Sequence, residues 1–217
     1  MTAIDKGTID FKGELLRKGI HLCSLSIPII YYYISKSTAL TILIPITIIS
    51  VLIDFGRYYI PSLNSFVINT FGFIMREHEN DNVKKNLNGA SYVFIAAALT
   101  LWIFPKIIFI TAFSMLIICD TAAALIGRKF GRHKFLSKSF EGTFAFFIFG
   151  IFVVILAPKV EGLFVEFLIG IIGGAIGAVV ENISYGWADD NLTIPISIGL
   201  TMWGLYLLFL PNMNLSL

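Results

Sequence analysis

The sequence predicts an all-α, polytopic helical membrane protein with about seven transmembrane helices and one additional interfacial or re-entrant helix. Three observations carry that prediction. Of the 217 residues 57% are hydrophobic and only 14% are charged. Mean hydropathy reaches +0.84, which does not describe a water-soluble domain. The apolar residues gather in runs near 20–34, 38–53, 90–104, 107–126, 143–157, 163–180 and 192–210, several of them shorter than the ~20 residues of an ideal span. With no internal repeat and no long linker, residues 1–217 read as a single membrane domain, a lead-in at 1–19 followed by a transmembrane bundle at 20–210.

The lead-in sets Lys6, Lys12, Arg17 and Lys18 among apolar positions four residues apart. No small-residue cleavage site follows the first apolar run, so it reads as an amphipathic entry helix and not as a removed signal peptide. Arg17 and His21 share a helical face there, and His21 is a satisfied interfacial residue, a phosphate contact or a general base. Cys23 in the first span and Cys119 in the fourth give no disulfide framework. The second run ends at Asp54 and Arg57, spaced i and i+3 as a structural ion pair would be. Segment 62–75 is apolar but broken by Asn64, Asn69 and Gly72, which is the pattern of an interfacial or re-entrant helix. A mixed-charge stretch from Arg76 past Glu79 to Lys85 reads as a solvated loop.

The fourth run carries Asp120 seven residues before Gly127, so it sits ~10 Å below the expected helix end. An acid at that depth is costly unless paired or metal-bound, and is a functional-site candidate by default. A basic loop follows, with Arg128, Lys129, Arg132, Lys134 and Lys138 against one acid, Glu141, and phosphate is the natural complement of such a loop. In the sixth run Gly170, Gly173, Gly177 and Glu181 share one face, and Gly173 with Gly177 makes a GxxxG strip. Asp120, Ala123, Ala124, Gly127 and Gly131 form a similar small-residue face on the fourth. Parallel packing of these two faces would bring Asp120 and Glu181 toward one polar cavity; otherwise the glycines only pack helices. Before the seventh run Asp189, Asp190 and Asn191 offer oxygen donors of the kind Mg²⁺ accepts, or Asp190 or Asn191 caps the helix.

Charge orients the chain. Seven spans place only Lys36, Lys106 and Lys159 on one side, leaving 13 of the 16 Lys and Arg on the other with the N-terminus. By the positive-inside rule that richer side is cytoplasmic and the C-terminus lies opposite. Arg17, His21, Asp54, Arg57, Asp120, the basic loop, Glu181, Asp189 and Asp190 all fall on the cytoplasmic side, although acids played no part in the assignment. No GxxxxGK[ST] loop or protein-kinase signature is present. Three scattered histidines and two cysteines make no zinc site, and basic residues without aromatic platforms argue against nucleic acid.

Five short elements then carry a resemblance over most of the chain. RKGIH at 17–21 is similar to an RKxxH element, DFGR at 54–57 to DxxR, and Arg76 with Glu79 followed by NGASY to an RxxE and glycine segment. DTAAALIGRKFGRHKFLSKSFEGT at 120–143 is similar to DxxAaxxGrxxG followed by KSxEGS, and ENISYGWADDNLTIP at 181–195 to an acid followed by DDNLxIP. In this order they resemble the CTP-dependent lipid kinases, the family that includes dolichol kinase, phytol kinase and the yeast-type diacylglycerol kinase. Cys119 stands where that family usually has glycine and Thr143 replaces a serine; neither change removes a charge.

The resemblance implies transfer of the γ-phosphoryl group of CTP to the hydroxyl of a lipid alcohol in the bilayer, with Mg²⁺ as cofactor. The acceptor would be a polyprenol or dolichol, a phytol-type isoprenoid alcohol or a diacylglycerol. It implies Asp120, Glu181, Asp189 and Asp190 as metal ligands, and Arg17, Arg128, Lys129, Arg132, Lys138, Ser139, Gly127 and Gly131 around the phosphates. His21 or Glu141 would accept the hydroxyl proton, with Asp54, Arg57, Arg76, Glu79 and Asn191 in support. Two readings from other classes remain: a cytidylyltransferase moving CMP onto a lipid phosphate, and a non-enzymatic lipid transporter. Nearly bare loops on the side opposite the cytoplasm weigh against the transporter.

Overall fold

The computed structural model describes residues 10–76, 79, 85–184 and 189–215. Lys6, much of the polar loop after Arg76 and residues 185–188 before Asp189 therefore lie outside the described residues. The longest helix, α6 (Lys106–Phe130), forms the axis of the bundle, and its side chains from Ile107 to Ile117 are almost all buried. Packed on it are α1 (Phe11–Cys23), α2 (Ser26–Tyr33), α5 (Gly89–Ile103), α7 (Phe140–Leu156), α8 (Phe164–Ile183) and α9 (Asp190–Phe209). α3 (Lys36–Gly56) leans on α5, and α4 (Pro61–Phe71) with its following turn at Gly72–Ile74 stays at the surface. A short hairpin, β1 (Lys134–Phe135) and β2 (Lys138–Ser139), joins α6 to α7.

Local signals explain several helix starts. Side-chain caps are supplied by Ser35 to α3, Asn88 to α5, Ser139 to α7 and Asp189 to α9, each accepting a backbone N–H two or three residues on. Proline opens α4, where its missing N–H costs nothing. In the core, Phe104 presses on Gly199, where a Cβ would come within 2.4 Å of the ring. That contact fixes α9 against the turn between α5 and α6.

Among the described residues four helices, α3, α6, α8 and α9, are long and apolar enough to cross a membrane, whereas α5 and α7 are apolar but only 15 and 17 residues long. The predicted run 20–34 is divided, because α1 continues to Cys23 and hands over to α2 through hydrogen bonds from Ser24 N to His21 O and from Leu25 N to Leu22 O. Arg17, Lys18 and His21 thus sit on a helix packed against α6, not on an entry helix ahead of the bundle. α6 also runs on to Phe130, which places Asp120 ten residues, or ~15 Å, from its end and deeper than expected. Segment 62–75 becomes an 11-residue helix of ~16 Å, too short to cross, with only Val67 buried on it.

Pairing of the two glycine faces is corrected by the structure. Gly170 faces Val154 of α7, and Gly173 and Gly177 face Met202 and Ile198 of α9. α7 and α9, not α6, fill most of the face, because bulky side chains there fit over bare glycine backbone. α6 reaches this strip chiefly through Met115 beside Gly174. Its own small-residue end packs on α7, where Gly127 and Gly142 meet so closely that a Cβ on Gly127 would lie 3.4 Å from the Gly142 Cα. The ends of the bundle differ in content. Lys36 donates to Phe104 O across 3.2 Å and the Tyr206 hydroxyl donates to Glu166 across 3.3 Å at one end, while the acids and cations of the predicted site meet at the other.

Candidate active site

Asp120 is almost wholly buried, and its charge is balanced from α1. The Lys18 ammonium donates to Asp120 Oδ2, and His21 Nε2 stands 3.6 Å from the same oxygen. Lys18 and His21 are a near-turn apart on one face, so a single helix delivers both. α1 is inverted relative to a soluble amphipathic helix. Glu14, Arg17, Lys18 and His21 share the stripe turned to α6, while Leu15, Leu16, Ile20 and Leu22 face outward. Glu14 accepts from Arg17 at 2.7 Å and lies 3.4 Å from the Arg128 guanidinium at the end of α6.

Lys138 joins the other half of the cluster. Its ammonium donates to Glu181 Oε1 at 2.5 Å and lies 3.8 Å from Asp190 Oδ2. Burial opposes its charge, but Glu181, Asp190 and Asp120 outweigh burial and raise its pKa. The backbone is held in place by Asn182, whose side-chain oxygen accepts from the N–H groups of Ser137 and Lys138 at 2.8 and 3.1 Å and whose amide donates to Thr143 at 2.6 Å. Asn182 at the end of α8 thereby aims the hairpin that carries Lys138.

Arg76 closes the group from the segment after α4. Burial works against its charge, while Asp190, Glu14, Glu79 and Asp120 stabilise it and raise its pKa. Glu79 accepts from the N–H groups of Arg76 and Gly89 at 3.3 and 3.2 Å. A Cβ on Gly89 would lie 3.6 Å from Glu79, 3.7 Å from Arg17 and 4.0 Å from Asn191, so bare backbone at the start of α5 borders the cluster. Asp54 and Arg57 form the expected ion pair at 2.9 Å, fully buried. Arg57 also donates to Glu79 O at 2.5 Å and Asp54 accepts from Asn88 N at 2.6 Å, which ties α3 to the loop ahead of α5.

The structure thus gathers Arg17, Lys18, His21, Arg76, Asp120, Lys138, Glu181 and Asp190 at one end of the bundle, with Arg128, Glu79 and Asn191 at its margin. It does not bring in the rest of the basic loop. Lys129 and Arg132 are exposed, and the Lys129 ammonium sits 5.3 Å from the Phe130 ring. Ser139 spends its hydroxyl capping α7 at Gly142 N, 3.3 Å away, and Gly127 and Gly131 pack against Ser139. Glu141 accepts from the backbone of Arg132 and His133 and from the His133 ring. These donors occupy the carboxylate that a base would need free.

Capping falls to Asp189, which accepts from Asn191 N at 2.9 Å and leaves Asp190 facing Lys138. Burial and then the like charge of Asp190 push the Asp189 carboxyl up. Of the four acids expected to hold a metal, Asp120 is paired with Lys18 and Asp189 caps α9, and among the described residues no three His, Cys, Asp or Glu side chains are grouped for an ion. Glu181 and Asp190 do fit Mg²⁺ in its usual mode, one or two carboxylates completed by phosphate oxygens and water. Glu181 Oε2 is buried without a hydrogen-bond partner beside them.

Sequence reading missed Glu14, Lys18, Gly89 and Asn182 as site residues. For the first two a signal existed, since Glu14, Arg17, Lys18 and His21 repeat at i, i+3, i+4 and i+7 against outward leucines and isoleucine. Gly89 had its place in the NGASY element, and Asn182 gave no signal beyond its place at a helix end.

No protein-family model and no solved structure matches the chain. It is 34% identical over 191 residues to the uncharacterized protein RP860 of Rickettsia prowazekii, covering 88% of this chain and 93% of that one. CTP-dependent diacylglycerol kinase 1 of Schizosaccharomyces pombe is 29% identical over 156 residues, 66% of this chain and 70% of its own length. The protein of the same name from Saccharomyces cerevisiae is 29% identical over 218 residues, 88% of this chain and 73% of its own. By these likenesses the chain belongs to one family with RP860 and is a distant homologue of CTP-dependent diacylglycerol kinases.

Proposed function

We propose that the protein is a CTP-dependent lipid kinase of the membrane, transferring the γ-phosphoryl group of CTP to the hydroxyl of a lipid alcohol, diacylglycerol or an isoprenoid alcohol. The observation that carries this reading is the buried meeting of Lys18, Arg76 and Lys138 with Asp120, Glu181 and Asp190, drawn from both halves of the chain onto one end of an apolar bundle. A site with this many cations, at the level where water meets hydrocarbon, suits a triphosphate on one side and a lipid hydroxyl on the other. The helices α1–α2, α3 and α5 to α9 would supply seven crossings, with the cluster and the N-terminus cytoplasmic, where CTP is available.

Phosphoryl transfer asks mainly for positioning and charge neutralisation. Lys138, Arg76, Arg128 and Arg17 would hold the triphosphate. The lipid oxygen bonds to the γ-phosphorus as the bond from that phosphorus to the β–γ bridging oxygen breaks, releasing CDP. His21 and Asp120, 3.6 Å apart, are placed to take the hydroxyl proton. Glu181 and Asp190 would hold Mg²⁺, which when bound neutralises the phosphate charge that low-dielectric surroundings penalise.

The test is an assay of the detergent-solubilised protein with γ-labelled CTP or ATP and a panel of lipid alcohols. Label entering the lipid from CTP, with CDP released, is the expected result. Release of pyrophosphate with CMP left on a lipid phosphate would make the protein a cytidylyltransferase, and no transfer from CTP to any alcohol would overturn the reading.

A further inference from the structure

A cavity of about 330 Å³ lies between α3, α4 and the start of α5, lined by Ile46, Ile49, Ser50, Ile53, Asp54, Val67 and Asn88. Its volume is at the lower end of the range for small-molecule sites. The two ends of the cavity differ. Ile46, Ile49 and Ile53 remain exposed on α3, so this side of the cavity is open to whatever surrounds the bundle. The inner end is polar, formed by Ser50, Asp54 and Asn88. Asp54 is 1% exposed, and its Oδ1 has no hydrogen bond, being held only by the charge of Arg57 2.9 Å away. A buried acceptor without a donor is costly, and bulk hydrocarbon cannot supply one.

The polar end also borders the charged cluster. Asn88 is followed by Gly89, where an added Cβ would meet Glu79, Arg17 and Asn191 at the distances already given. An amphipathic molecule with its chain along the isoleucines would therefore have its polar end beside Asp54 and Asn88, one residue from the site of phosphoryl transfer. We infer that this cavity is the acceptor site, holding the apolar chain of the lipid alcohol against Ile46, Ile49 and Val67 and passing its hydroxyl end by Asp54 and Asn88 to the cluster. The assignment rests on the lipid kinase reading for the chemistry of its occupant. A cytidylyltransferase or a transporter would have no need of an alcohol there.

The test uses the full chain in vesicles of phosphatidylcholine, with a diacylglycerol carrying a diazirine on one acyl chain as the probe. Irradiation is expected to label α3 between Ile46 and Ile53 or Val67, and excess unlabelled diacylglycerol should suppress the label where added phosphatidylcholine does not. Ile49→Trp, which fills the cavity from its open side, should remove the label and raise the KM for the lipid about tenfold while the KM for CTP stays within about twofold. Leu208→Trp, on an exposed stretch of α9, serves as the control and should change neither. Labels elsewhere, equal competition by phosphatidylcholine, or an Ile49→Trp protein with an unchanged lipid KM would overturn the site. Selective labelling of the cavity in a wild-type protein that transfers nothing from CTP would keep the lipid site and remove the kinase reading instead.

Discussion

Asp120 and Lys18 form a buried pair in which each side chain is the condition for the other's charge. Removing one partner of such a pair strands the other and costs about 3–5 kcal/mol, while removing both is far milder. Lys18→Met and Asp120→Asn are each expected to lower the unfolding temperature in detergent, and the double variant to recover most of the loss. Activity should not recover with it: phosphoryl transfer is expected to fall at least ~100-fold in all three, since Asp120, which would take the proton, is either removed or left without the cation that holds its charge. Recovery of both together would make the pair purely structural. Lys138 sits in a different pairing, with Glu181 and Asp190 on helices other than α1. Lys138→Ala should lower kcat/KM for CTP by roughly 30-fold or more and leave the KM for lipid unchanged, as read from steady-state kinetics with each substrate varied in turn. At this scale Arg17, Asp120, Lys138, Glu181 and Asp190 stood out in the sequence because charged residues are rare among apolar ones, while Glu14 and Lys18 did not, lying in a lead-in where charge is common. Which cations turn inward was not legible. Arg128 and the exposed Lys129 are parted only by the turn of α6 from one residue to the next, and Lys138 is turned in by the path of the hairpin, which depends on Asn182, some 40 residues away along the chain.

Helices show where periodicity stops informing. The apolar runs located α3 and α5 to α9 because hydrophobic stretches of that length have few alternatives. They misplaced α1, whose apolar residues face outward and whose polar stripe faces in, so that the same amphipathic pattern admits two opposite orientations. The pairing of α8 failed for a related reason: a glycine strip announces close contact but does not name its partner, and side chains of α7 and α9 occupy it. Gly199 lies outside that strip yet is tighter. A methyl group there would meet the Phe104 ring at 2.4 Å, whereas Gly204 on the same helix has nothing within 4 Å. Gly199→Ala is expected to destabilise the protein by about 1–3 kcal/mol through overpacking, and Gly204→Ala to leave thermal unfolding in detergent essentially unchanged. Equal effects of the two would mean that helix propensity, not the ring contact, sets the cost.

For the whole molecule, Lys36, Lys106 and Lys159 have their partners at the end of the bundle remote from Asp120, the grouping on which the expected orientation is built. A cysteine introduced by His133→Cys, in a chain whose Cys23 and Cys119 are replaced by serine, should react with a membrane-impermeant thiol reagent from the cytoplasmic side, and one introduced by Glu161→Cys from the other. The opposite pattern would reverse the orientation, and labelling of both from one side would remove α7 as a crossing. The lysine that α1 contributes has one more consequence, which concerns synthesis. Lys18 emerges 102 residues before its carboxylate, which at ~5–20 residues per second is roughly 5–20 s of ribosome time. An ammonium without its counter-ion is held at the headgroup level rather than drawn into hydrocarbon, so α1 must wait at the surface for α6. A ribosome-stalled chain ending before α6 should leave Lys18 open to an amine-reactive reagent, and the finished protein should protect it. Protection already in the stalled chain would mean that α1 finds another acid first. The bundle is in that sense closed by α1, and the charged cluster is assembled late, as that helix docks.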